Sequence, residues 1–337
     1  MTKAPTLPAP AGASPSGPTS GPARSGAGMA LALGSAASFS TSGAFARALA
    51  EAGWSPGAAV AARISIAALV LAGPAIYAMR GRWAALRKDG LAVVLYGLVA
   101  VASCQLCYFH AIEHLSIGVA LLLEYLGTVL VVGWMWLRHG HRPRRLTVIG
   151  SVIAVVGLVL VLDLTGDNRI DLVGVLWGLG AAIGLAGYFV LSGDGDSAVP
   201  PVAFASAGMT VGAVTLFGLG ALGALPLHAR FDDVVLAGRA VSWLVPLLGL
   251  ALLAGALAYV AGIGAARRLG PRLASFVGLT EVVFAVGFAW LFLAELPTAI
   301  QLAGGALIVV GVALVRMDEQ RPEPIEPVAP LLAEPAT

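Results

Sequence analysis

The chain has 337 residues, 58% of them hydrophobic and only 11% charged, with a formal net charge of +2. Soluble domains carry roughly 25% charged residues, so a soluble fold is excluded and an integral membrane protein is expected. The small net charge, with arginines scattered through short loops, excludes a nucleic-acid stripe. Cys104 and Cys107 alone give no disulfide framework.

Residues 1–28 hold six prolines among Ala, Gly, Ser and Thr, the composition of a disordered tail. No apolar core precedes Met29, so this is not expected to be a signal peptide. Ten apolar spans follow, at 29–50, 57–79, 90–111, 117–137, 146–162, 172–192, 201–222, 243–265, 273–293 and 298–316. Most are long enough to cross a hydrocarbon core of roughly 30 Å. Residues 163–171 form a polar linker between the first five spans and the second five, and 317–337 form a second proline-rich tail.

The stretch Leu115–Val161 recurs without a gap as Leu269–Val315. Gly133 falls on Gly287, Trp136 on Trp290, Pro143 on Pro297, Gly150 on Gly304 and Gly157 on Gly311. Matched Gly, Trp and Pro in one register indicate an internal duplication. Pro56 and Gly73 echo Pro201 and Gly218 more faintly. The linker of the first copy is basic (Arg138, Arg142, Arg144, Arg145), whereas the second carries Glu295 and no basic residue. Lys and Arg collect on the cytoplasmic side, so the two linkers are expected on opposite faces. The fold class expected is therefore an all-α integral membrane protein, ten transmembrane helices in two inverted five-helix repeats, the architecture of secondary transporters. Alternating the loops puts 11 Lys and Arg on one side and three (Arg169, Arg230, Arg239) on the other, which places both termini in the cytoplasm. Trp54, Trp177, Trp243 and Trp290 at outer ends, and Trp83 and Trp136 at inner ends, suit aromatic belts. On span 6, Gly174, Gly178, Gly180, Gly184 and Gly187 suit close helix packing.

Several motifs fail their context. Gly53-Trp54-Ser55-Pro56-Gly57 fits G-x-S-x-G, but that elbow needs a preceding strand, and Ser-Pro-Gly here has turn chemistry. A membrane-embedded serine hydrolase using Ser55 and His110 is the alternative reading. Cys104, Cys107, His110 and His114 extend over about 15 Å of helix, too far for four zinc bonds of about 2.0–2.3 Å, so no metal and no other cofactor is expected. Neither Lys3 nor Lys88 follows a phosphate-binding glycine loop.

Charges inside the spans carry more information, because each is costly in hydrocarbon and normally faces a partner, water or the bundle interior. Arg63 and Glu124 both lie about 10 Å below the outer surface. Their equal depth and opposite sign make them a candidate pair on one cavity, with a purely structural ion pair as the other reading. Glu281 lies across the midplane, and Arg47 sits close enough to an end to snorkel. The substrate- or ion-binding residues expected are Arg63, Glu124, Gln105, Tyr108, Tyr188, Tyr259 and Glu281, with Ser38, Ser40, Thr41, Ser42 and Tyr125 as further polar lining.

These residues resemble the EamA-type members of the drug/metabolite transporter superfamily. The likeness covers about residues 29–316 and rests on the Ser55-Pro56 turn, Arg63, the run Val119–Leu130 around Glu124, its counterpart Leu279–Phe284 around Glu281, Trp290–Glu295 and Gly304–Gly311. It implies a ten-helix carrier of small metabolites, often an exporter of amino acids or related compounds. A proline usual in that family after the acidic residue is Thr128 in one copy and Val282 in the other. The partners expected are a small-molecule substrate and the lipid bilayer, with no nucleic acid; a homodimer is left open. The inverted topology predicts that Gly140→Cys and Ala294→Cys label from opposite faces with an impermeant thiol reagent. Labelling of both from one face of intact cells contradicts it.

Overall fold

The computed structural model describes residues 22–115, 117–139, 143–161, 171–193, 197–236, 238–293 and 298–319. Both repeat linkers (140–142 and 294–297) and most of the central linker lie outside the described residues. Ten helical spans are present among the described residues. Five are long, apolar and unbroken: Pro56–Ala78 (span 2), Gly90–His114 (span 3), Leu172–Ser192 (span 6), Pro201–Ala221 (span 7) and Leu244–Leu269 (span 8). Spans 5 and 10 are Arg145–Val161 and Ala299–Glu319. Apolar side chains such as Leu69, Ile76, Val152, Ile183 and Val214 point outward from the bundle, where a soluble protein would place charge.

Helix starts follow local chemistry. Pro56 and Pro201, the two positions echoed between the repeats, each stand at the start of a span, where the missing proline N–H costs nothing. Ser55 caps span 2 by accepting the N–H of Ala58, and Asp171 caps span 6 by accepting that of Val173 (2.8 Å). The Val173 N–H, and after it the His114 ring at 2.9 Å, hold the exposed Asp171 carboxyl below the usual carboxylate range. Span 1 begins at Pro22, so the stretch from Pro22 to Gly28 is helix rather than tail.

Three spans are interrupted. Span 1 runs Pro22–Phe39 and Ser42–Glu51, span 4 runs Ile117–Tyr125 and Gly127–His139, and span 9 runs Pro271–Gly278 and Thr280–Leu293. At each interruption a hydroxyl takes a carbonyl three residues back. Ser40 and Thr41 donate to Ala37 and Ser38 (both 2.7 Å), Thr128 to Tyr125 (2.8 Å) and Thr280 to Val277 (2.7 Å). Such side chains compete with the helix ladder and satisfy backbone groups that hydrocarbon leaves unpaired. Spans 3 and 8 each contain a π-helical stretch, Tyr96–Ser103 and Gly249–Leu257, at equivalent places in the two repeats.

Spans 5 and 10 show how the repeats are related. A Cβ on Gly150 would stand 2.8 Å from the Gly311 carbonyl, and one on Gly157 would stand 2.7 Å from that of Gly304. Gly304 and Gly311 are the repeat equivalents of Gly150 and Gly157. Each residue therefore meets the equivalent of the other's, the self-complementary pattern of a two-fold contact. The order is antiparallel, so the second repeat is inverted relative to the first. The five span 6 glycines press on spans 3 and 4; Gly178, for one, leaves room for Leu123.

Two features differ from the sequence reading. Among the described residues one β element occurs, an antiparallel hairpin of Val234–Leu236 with Arg239–Val241. Trp54 is not a belt residue. It is 6% exposed, donates to the Arg230 carbonyl and packs on Trp243 and Phe231 (ring centroids 5.9 and 6.0 Å), clamping the turn after span 1 to the loop after span 7. A tryptophan near a span end reads alike for either role, and tertiary contacts decide.

Gly157→Val should force spans 5 and 10 apart and cost about 1–3 kcal/mol, read as a lower melting temperature in detergent. Gly133→Ala, with nothing within 4 Å of the new Cβ, should melt no lower than wild type. Equal melting of both variants with wild type contradicts the contact.

Candidate functional site

The two repeats enclose a cavity of about 830 Å³ between spans 1, 3, 4, 6, 8 and 9. It follows span 1 from Ala32 to Glu51, and hairpin residues Val235, Leu236 and Gly238 border its Glu51 end. At the opposite end of the bundle Ser197 donates to Asp89 (2.7 Å), and Arg267 donates to the Val199 carbonyl. All three interrupted helices contribute wall residues, as irregular backbone at membrane depth should.

Six of the seven expected residues line this cavity: Gln105, Tyr108, Glu124, Tyr188, Tyr259 and Glu281. Arg63 does not. It is fully buried behind Gln105 and Ser42, with Nη1 donating to Gln105 Oε1 (2.7 Å) and Ser42 Oγ (3.3 Å), and Nη2 to the Ala254 carbonyl (2.7 Å). Phe109 lies across its other side, 5.9 Å from the guanidinium carbon. The expected ion pair with Glu124 is therefore replaced by neutral acceptors. Equal depth along two helices does not fix the direction in which each side chain points, and here span 2 aims Arg63 at Gln105, Ser42 and the Ala254 carbonyl.

The two acids have different settings. Glu124 Oε1 lies 3.6 Å from Cys104 Sγ, which also lies 3.5 Å from the Ala181 carbonyl. Glu281 Oε2 accepts a 2.7 Å hydrogen bond from the Tyr125 hydroxyl, which also lies 3.1 Å from the Gly278 carbonyl. The residue after one acid thus steadies the acid of the other repeat. Among the described residues neither carboxylate lies within ion-pair distance of a basic side chain; His110 and His114 instead meet Glu113 and Asp171, each at 2.9 Å.

Phe39, Tyr188 and Tyr259, from spans 1, 6 and 8, meet as a corner of steeply inclined rings. Centroids are 5.2 Å (Phe39–Tyr259), 5.6 Å (Tyr188–Tyr259) and 6.3 Å (Phe39–Tyr188), at 66°, 90° and 86°. Phe39 escaped the sequence reading, since one phenylalanine in an apolar span carries no signal; its neighbours Ser38, Ser40 and Thr41 were the available hint. Cys104, set aside in the sequence as a metal ligand, has its thiol beside Glu124. His110 is stacked on Trp177 at 4.8 Å. Ser55 donates to the Pro226 carbonyl (2.8 Å) and accepts the N–H of His228 (3.0 Å) as well as that of Ala58, so its hydroxyl serves as a cap and loop tie.

A helical membrane protein with inverted repeats around one amphipathic cavity belongs to the class of membrane transporters. The match to a family model sharpens this: residues 26–163 and 172–317 each fit the EamA-like transporter family. The chain belongs to that family. The pseudopaline exporter CntI of Pseudomonas aeruginosa is 27% identical over 242 residues, covering 71% of this chain and 80% of CntI. An uncharacterized transporter of Archaeoglobus fulgidus is 26% identical over 66% of this chain and 74% of its own. The uncharacterized transporter YwfM of Bacillus subtilis is 29% identical over 37% of this chain and 42% of its own. A solved crystal structure shares the fold with a TM-score of 0.65 and 19% identity, over 88% of this chain and 96% of the other.

Removing the carbonyl that Arg63 uses on span 3 should be costly. Gln105→Leu is expected to destabilise by about 1.5–3 kcal/mol, the range for hydrogen bonds to charged groups, and Ser42→Ala by less. Thermal melting of the purified variants checks this; a Gln105→Leu protein as stable as wild type contradicts the assignment.

Proposed function

We propose that this transporter exports small metabolites, amino acids or related compounds, across the cytoplasmic membrane, driven by a proton gradient or by exchange, with both termini in the cytoplasm. The observation that carries this reading is the pair Glu124 and Glu281, two carboxylates on one cavity between the repeats. A carboxyl favours its neutral form in dry apolar surroundings and its ionised form in water or beside a cation. A cavity that opens to each face in turn wets and dries its acids, so a proton taken up on one side is released on the other. Glu124 and Glu281 are the groups placed to carry it. Both sit at interruptions in their helices, so each half-span has a point about which to pivot. The direction of transport is supported by the relative named as an exporter, and the topology by the arginine asymmetry.

Proteoliposomes holding a labelled panel of amino acids and amines, equal on both sides, test this directly. An imposed pH gradient should drive accumulation by wild type. Glu124→Gln should lose the accumulation while keeping exchange. Wild-type protein that exchanges but accumulates nothing under any pH gradient excludes proton coupling through this acid.

A further inference from the structure

The charges and rings of the cavity select one chemical class more narrowly than small metabolites. We propose that the ligand is an organic amine with an aromatic or apolar body and no carboxylate, such as the amine left when an aromatic amino acid loses its carboxyl group. This rests on the transporter reading and narrows its substrate.

Three observations carry it. First, the charged residues that line the cavity are Glu51, Glu124, Glu281 and Arg47. Arg47 and Glu51 stand together at the end bordered by the hairpin, both exposed, so among the described residues the charges of the deeper wall are both acidic. Second, the one cation at that depth among the described residues is withdrawn. Both terminal nitrogens of Arg63 are occupied by Gln105, Ser42 and Ala254, and the residue is fully buried. A ligand carboxylate reaching the deep wall meets like charge and no basic group, and such a mismatch is how a site rejects the wrong partner. An ammonium there meets two carboxylates. Third, Phe39, Tyr188 and Tyr259, packed edge to face on one another, line the same cavity as the acids, and aromatic rings attract cations and pack apolar bodies. A volume of about 830 Å³ lies within the range of small-molecule sites and leaves room for a ring.

Binding of a matched set of three compounds tests the inference without relying on transport. Phenethylamine, phenylalanine and 3-phenylpropanoate differ only in whether amine, carboxylate or both are present. Calorimetric titration of the full chain in nanodiscs should rank phenethylamine at least about tenfold tighter than phenylalanine, with 3-phenylpropanoate not binding. Glu124→Gln and Glu281→Gln should each weaken phenethylamine by about tenfold or more, while Gly133→Ala, outside the cavity, leaves it unchanged. Because the ranking is read on wild type, a variant that fails to fold does not rescue the idea. Phenylalanine binding as tightly as phenethylamine, or no binding of phenethylamine up to millimolar concentration, overturns it. Failure of this inference is distinguishable from failure of the transport reading. Carboxylated compounds that accumulate under a pH gradient sink the amine and leave the transporter. Phenethylamine that binds but crosses under no gradient does the reverse.

Discussion

A guanidinium held in the middle of the bundle sets the terms for what surrounds it. An arginine in hydrocarbon is expensive unless its donors are met, and Arg63 is met by three different spans. Each contact falls where a helix departs from regularity. Ser42 opens the second half of span 1, Gln105 follows the π-helical stretch of span 3, and Ala254 lies within that of span 8. A π-helical turn shifts the backbone hydrogen-bond ladder and is frequent at functional sites; here it accompanies a carbonyl presented to the cation. Spans 1, 2, 3 and 8 are thereby tied around one side chain. Neutral acceptors take both terminal nitrogens while Nε stays buried without a hydrogen-bond partner, and the two glutamates face the cavity.

Set against that tie are the parts built to pack and the parts built to bend. Spans 5 and 10 meet glycine to backbone across the pseudo-two-fold, and span 6 uses its glycines against spans 3 and 4. Interiors packed this closely have few intermediate arrangements. Spans 4 and 9, by contrast, are broken at Leu126 and Leu279, beside the acids. The first repeat carries an added interruption in span 1 that span 6 lacks, so the cavity is lined unequally by the two halves.

Much of this architecture is legible in the sequence because hydrophobic length and arginine placement are one-dimensional signals. The ten spans, the duplication and the acids at Glu124 and Glu281 follow from spacing alone. What spacing cannot carry is azimuth. Arg63 and Glu124 share a depth yet do not pair, and Trp54 has a belt's position but a clamp's contacts. The helix breaks are legible only in hindsight. Thr128 stands at, and Thr280 two residues before, the positions where the family uses a proline, and their hydroxyls perform the local carbonyl satisfaction that accompanies a break. Phe39 and Cys104 gain their places from the neighbours that folding brings to them.

The cation is sealed behind the wall while the acids face the cavity. Peptide-resolved mass spectrometry of the membrane-embedded protein, after parallel treatment with a hydrophobic carbodiimide and with phenylglyoxal, measures this directly. Carbodiimide adducts on Glu124 and Glu281 and an unmodified Arg63 are the result expected. Modification of Arg63 with both glutamates untouched would contradict the account.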